Sequence, residues 1–136
     1  MSVPADTELR SILGSARTIA VVGLSSKPHR PSYEVASYLQ DHGYRIIPVN
    51  PNETQVLGER AYPSLRDIPP EIVIDAVDVF RRSAATPAVA RDAVAIGAKV
   101  LWLQQDIVNE EAARIAEAGG LAVVMGVCMM TIHSRL

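Results

Sequence analysis

The chain has 136 residues, 49% of them hydrophobic and 21% charged, with a formal net charge of −2. Length and composition fit one ordinary globular domain, and with aromatics at only 4% its core must be aliphatic. No block of Lys and Arg forms the basic stripe of a nucleic-acid surface, no apolar run reaches bilayer-spanning length, and the first residues lack the basic-then-apolar order of a secretion signal.

Taken in chain order, residues 6–13 predict a short amphipathic helix, with Leu9, Ile12 and Leu13 on one side and Gly14 as its stop. Residues 18–22, Thr-Ile-Ala-Val-Val, form the continuous β-branched run of a strand buried on both faces. Gly23 ends it and a polar, proline-containing loop follows. Ser32 is the expected N-cap of a helix carrying Val35, Ala36 and Leu39, which Gly43 closes. Residues 45–49 read as a second strand, with Pro48 marking an edge-like finish. Residues 52–60 are polar and loop-like, with a turn at Gly58, and a short helical turn is expected near Ser64 and Leu65.

A third strand lies within residues 72–79, with Asp75 and Asp78 as strand-end polar residues. Pro87 belongs to the first turn of a helix whose apolar face is Val89, Ala90, Ala93, Val94 and Ile96, capped by Gly97. Residues 99–103 give a fourth strand, residues 109–118 a helix stopped by Gly119 and Gly120, and residues 121–125 a fifth strand. A last short helix runs from Met129. Five apolar strands separated by helices predict an α/β fold: a Rossmann-like doubly wound sheet of about five parallel strands with helices on both faces, one domain over residues 1–136. Ligands of such sheets bind beyond the carboxyl ends of the strands, where the strand order reverses. That rule selects residues 23–32, 48–51, 79–83 and 103–106.

The loop after the first strand has the richest chemistry. Gly23 allows unusual dihedrals and close approach to the backbone. Ser25 and Ser26 offer hydroxyls, Lys27 and Arg30 offer charge, and the helix beginning near Ser32 presents free N–H groups. Together they form a phosphate cradle. Gly23 is the loop's only glycine, and the second strand ends in Pro48-Val49-Asn50-Pro51 without an acid, two departures from the dinucleotide fingerprint. No GKS/T loop is present.

The stretches Ala20-Val21-Val22-Gly23-Leu24-Ser25-Ser26-Lys27-Pro28-His29-Arg30-Pro31-Ser32-Tyr33, Pro48-Val49-Asn50-Pro51, Asp78-Val79-Phe80-Arg81-Arg82 and Ala98-Lys99-Val100-Leu101-Trp102-Leu103-Gln104 resemble the stand-alone CoA-binding domain family. That family is related to the CoA-binding domain of the succinyl-CoA synthetase alpha subunit. The resemblance implies coenzyme A as ligand, with Gly23, Leu24, Ser25, Ser26, Lys27, Arg30 and Ser32 around the phosphates. It puts Pro48, Val49 and Asn50 at the nucleotide, Val79, Phe80 and Arg81 beside the pantetheine and adenine portions, and Leu103 and Gln104 at the far arm. The chain departs from the family at Gln105, where a glycine is common, and at Met125-Gly126-Val127, where a more polar run is usual before Cys128.

No nucleophile, base and orienting group can be set in order from the sequence. Cys128 is the only cysteine, so no intramolecular disulfide forms; it fits a reducing, cytoplasmic setting and reads as a small buried residue. With three scattered histidines it gives no zinc-ligand spacing. His133 reads as a surface residue. The sequence therefore reads as a binder of CoA or acyl-CoA rather than a catalyst: a carrier, sensor or regulatory protein, alone or as an oligomer or with a partner protein, and without nucleic-acid or membrane ligands. Two alternatives stand beside it, an enzyme acting on a CoA thioester and an NAD-type redox protein.

Overall fold

The structure, a computed structural model, describes residues 3–136. Its elements run α1 (Asp6–Ser15), β1 (Thr18–Val22), α2 (Pro31–Asp41), β2 (Arg45–Val49), β3 (Gln55–Val56), β4 (Glu59–Arg60), β5 (Ala76–Val79), α3 (Thr86–Ala95), β6 (Val100–Gln105), α4 (Glu110–Ala118), β7 (Ala122–Gly126) and α5 (Met129–Arg135). The five apolar strands pair in the order β2-β1-β5-β6-β7, all parallel. β3 and β4 form a separate two-stranded hairpin.

Each strand alternates its side chains between two apolar layers. Ala20, Val22, Val77, Val79, Leu101 and Leu103 face α3 and α4. Ile19, Val21, Ala76, Val100 and Trp102 face α1, α2 and α5. Trp102 is completely buried, and its indole N–H donates to the Val127 carbonyl at 2.8 Å, which satisfies the one polar atom of a large apolar side chain. The doubly wound, helix-covered parallel sheet expected from the sequence is the observed fold.

The third strand, expected within residues 72–79, is Ala76–Val79. Two local expectations change. α1 continues through Gly14 to Ser15. The segment read as loop contains the β3–β4 hairpin, turning on Leu57 and Gly58 at φ 55° and 77°. Two successive positive φ values make this a primed turn, and a leucine gives no sign of one in sequence.

β2 sits at the sheet edge, as Pro48 implied. Beyond it, Tyr62 forms a parallel bridge to Val49: the Tyr62 N–H donates to Pro48 O at 3.0 Å, and the Asn50 N–H donates to Tyr62 O at 2.9 Å. Among the described residues, no helix is long and apolar enough to cross a membrane.

Candidate functional site

The chain leaves β1 toward β2 on one side and β5 toward β6 on the other. Their carboxyl ends therefore diverge, and a crevice opens above them. Both strands continue one residue beyond their last paired position: the Gly23 N–H donates to Val49 O and the Phe80 N–H to Val22 O, each at 2.8 Å. Gly23 has φ +87°, and a Cβ there would stand 2.3 Å from the Phe80 carbonyl oxygen. Glycine is required both by the dihedral and by this close approach.

The loop after Gly23 is stitched from within. The Ser25 N–H donates to Ser32 Oγ at 3.0 Å, the Lys27 N–H to Ser25 Oγ at 3.1 Å, and the Arg30 N–H to Lys27 O at 3.0 Å. Ser32 is not the N-cap. Arg30 occupies that position with extended backbone (φ −78°, ψ 141°), and Pro31 opens α2. Proline has no N–H to leave unpaired and a φ already suited to the first helical position, so the helix starts earlier. The Ser32 hydroxyl, buried, holds the loop instead. Asn50 ties the neighbouring connection down: its Nδ2 donates to Leu24 O at 3.0 Å and its Oδ1 accepts the Asn52 N–H at 2.9 Å.

Two cavities occupy the crevice. One, of about 320 Å³, is lined by Gly23, Ser25, Arg30, Pro31, Ser32, Phe80, Arg81, Arg82 and Ile107. Three arginines line it and no acid does. Among the described residues the ion pairs are Arg66–Asp92 and Lys99–Asp75, so none of the three is neutralised by a carboxylate. The other cavity, of about 270 Å³, lies over the ends of β1 and β2 and is mostly apolar, with Val22, Val49, Pro51, Pro63, Leu65 and Val89 in its walls. Arg81 lines both. An arginine-rich, acid-free pocket beside an apolar one suits an anionic group joined to a flat or apolar body.

Of the residues selected from sequence, Gly23, Ser25, Arg30, Ser32, Phe80 and Arg81 meet in the first cavity, and Val49 lines the second. Ser26 and Lys27 are exposed on the loop outside both linings. The side chains of Leu24, Pro48, Val79, Leu103 and Gln104 are buried and line neither. Sequence reasoning missed Pro63, Leu65, Val89 and Ile107, which arrive from distant connections and carry no local signal. It also missed Glu53. The acid absent from the end of β2 comes from four residues further on, where the Glu53 carboxylate accepts the Ser26 N–H at 2.8 Å.

Three residues correct their sequence reading. Asp78 is no strand-end residue: it lies inside β5 with zero exposure, and its Oδ1 accepts from Gln104 Nε2 while Oδ2 has no partner. Burial pushes this carboxyl up to about 7, against the opposing pull of the Gln104 amide. Cys128 is only partly buried, at the N-cap of α5. His133 is half-buried, its Nδ1 2.8 Å from the Tyr38 hydroxyl and its ring edge-on to Tyr44 and His42.

The sequence profile described as "CoA binding domain" matches residues 17–134. The chain belongs to the CoA-binding domain family. Within reach of this family membership, the chain is similar to the uncharacterized protein YneT of Bacillus subtilis (strain 168), at 43% identity over 134 residues covering 98% of each chain. It is also similar to the alpha subunit of the ADP-forming acetate–CoA ligase II of Pyrococcus furiosus, at 42% identity over 57 residues, which is 41% of this chain and 12% of that protein.

Among solved structures it resembles Prb, the PH1109 protein redesigned for binding, with TM-score 0.95 and 42% identity, covering 100% of this chain and 94% of that one. It resembles equally the cell-free ID.343 protein of Thermus thermophilus, with TM-score 0.91 and 36% identity, covering 97% and 98%. This CoA-binding family member thus shares its whole architecture with other chains of its own size.

Proposed function

We propose that the chain binds coenzyme A or an acyl-CoA across the β1–β5 crevice, as one binding unit that carries or senses the ligand rather than transforming it. The observation that carries this reading is the pair of cavities that share Arg81, one lined by three arginines that make no ion pair among the described residues and one mostly apolar. Arg30 and Arg81 would grip phosphates with paired N–H donors, aided by Ser25, Ser26, Lys27 and the backbone at Gly23. Leu24 and Ser32 would act through the loop shape they maintain. Pro48, Val49 and Asn50 would flank the nucleotide over the second cavity, while Val79, Phe80 and Arg81 would sit between the two halves of the ligand. Leu103 and Gln104 would support the far arm from below. The family membership and the partial likeness to a CoA ligase subunit support the choice of coenzyme A among phosphate-bearing ligands.

Thermal unfolding with added ligand tests the reading. A ligand at about 100 times its dissociation constant adds roughly 2.7 kcal/mol, and a domain of this size then melts several degrees higher. CoA is expected to give that shift, NAD a smaller one, and Arg81→Ala to abolish most of it. An unchanged midpoint at millimolar CoA would overturn the proposal.

A further inference from the structure

Glu53 lies four residues beyond β2, yet its Oε2 accepts the Ser26 N–H at 2.8 Å in the loop after β1. The segment bearing it is fixed at several points. Hydrogen bonds from the Tyr62 N–H to Pro48 O and from the Asn50 N–H to Tyr62 O close its neck, and the Glu53 N–H donates to Asn50 O at 3.2 Å. Gln40 Nε2 donates to Leu57 O at 3.1 Å, and Val56 is buried in the layer beneath α2. Glu53 is thus delivered to Ser26 by a braced excursion.

The loop's other bonded amides stay within the local fold. Ser25 donates to Ser32 Oγ, Lys27 to Ser25 Oγ, and Arg30 to Lys27 O. Ser26 alone of these four donates to a side chain from beyond β2, and that side chain is an anion. A carboxylate oxygen on a backbone N–H offers the same charge-assisted hydrogen bond as a phosphate oxygen. Glu53 makes no ion pair among the described residues, so this bond is its hold on the loop.

We propose that Glu53 is a resident anion of the phosphate loop: a phosphate-bearing ligand reaches the Ser26 N–H only by displacing the Glu53 carboxylate, which weakens phosphate binding and makes the loop selective among anions. The inference rests on the reading of this loop as phosphate-binding. Displacement costs the incoming anion one hydrogen bond that must be broken first, and the released carboxylate remains near it as a like charge.

Calorimetric titration of the wild-type chain, Glu53→Gln and Glu53→Ala with CoA, and separately with inorganic pyrophosphate, tests it. Both variants are expected to bind each probe roughly five-fold more tightly at about 50 mM salt, with the difference shrinking toward two-fold near ~0.5 M as screening grows. Glutamine keeps an acceptor for the Ser26 N–H without the charge, so its thermal midpoint should match the wild type and exclude a folding defect. Equal or weaker binding of both probes by the variants, with the wild type binding CoA, overturns the role of Glu53 and leaves the proposed function intact. Tighter pyrophosphate binding by the variants, with CoA bound by none of the proteins, supports the resident anion and overturns the proposed function. No binding of either probe by any of the proteins overturns both.

Discussion

Gly23, at the end of β1 against the crevice, and Asp78, fully buried within β5, are governed by opposite demands, one for the absence of a side chain and one for its neutrality. At Gly23 a methyl group would have to occupy the space of the Phe80 carbonyl at a φ of +87°. Gly23→Ala should lower stability by roughly 2–4 kcal/mol, read from the urea midpoint, since strain and clash act together; a loss under about 1 kcal/mol would mean that the ends of β1 and β5 part freely. Asp78 ionises near its ordinary value of 3.8 in the unfolded chain but near 7 when folded. Between those values the folded state keeps a proton that the unfolded state has released, so this residue's stabilising contribution is whole below pH 4 and declines as pH rises to 7, by about 4 kcal/mol at most. Asp78→Asn preserves the neutral form at every pH. Its advantage over the wild type in chemical denaturation should be near zero at pH 4 and on the order of 2–4 kcal/mol at pH 8; a difference independent of pH would contradict the buried, proton-holding carboxyl. Sequence could not disclose this residue, because Ile-Asp-Ala-Val-Asp-Val offers two acids in one run and only the strand register decides which is buried. Asp75 is the one that lies just before the strand, where its Oδ2 accepts the Arg17 and Thr18 N–H groups at 2.9 Å each.

At the scale of elements, the long strands and helices were legible because each announces itself by period: β-branched runs of four to six residues for the buried strands, and i, i+3, i+4 spacing closed by glycine for the helices. The β3–β4 hairpin was hidden because its turn uses Leu57 where Asn or Gly is the usual signal. The start of α2 was misplaced because Ser32 has the chemistry of a cap, while Pro31 has the backbone that decides the matter. α3 and α4 show what small residues do for the layer they build. Ala90, Ala93, Ala112, Ala113 and Ala116 are all buried there, and Gly119 at the end of α4 would bring a Cβ within 2.5 Å of Val94. The two helices are thus set at a spacing that tolerates no added methyl at this point. Gly119→Ala should cost roughly 1–3 kcal/mol, and the double variant Gly119→Ala, Val94→Ala should regain part of it. Full additivity of the two losses in unfolding experiments would argue that they do not touch.

For the whole molecule, part of the candidate site could be read from the chain and part could not. The fold class fixes which strand ends face the crevice, so the loops bearing Arg30 and Arg81 were found by topology alone. The walls contributed by Pro63, Leu65 and Val89, and the acid contributed by Glu53, are products of how distant connections return over those ends, and no spacing rule reports that. The same return path has a consequence at the sheet's margin. Tyr62 meets the outer side of β2 through backbone bonds to Pro48 and Asn50, and Pro48 has no N–H of its own to offer. A foreign strand approaching that margin finds its pairing positions already occupied or missing, which is how natural sheets avoid sticking to one another. β7, the opposite margin, has no strand paired to its outer side among the described residues. Any association of this protein by strand addition is thereby steered to a single flank, on the far side of the sheet from the Glu53 excursion.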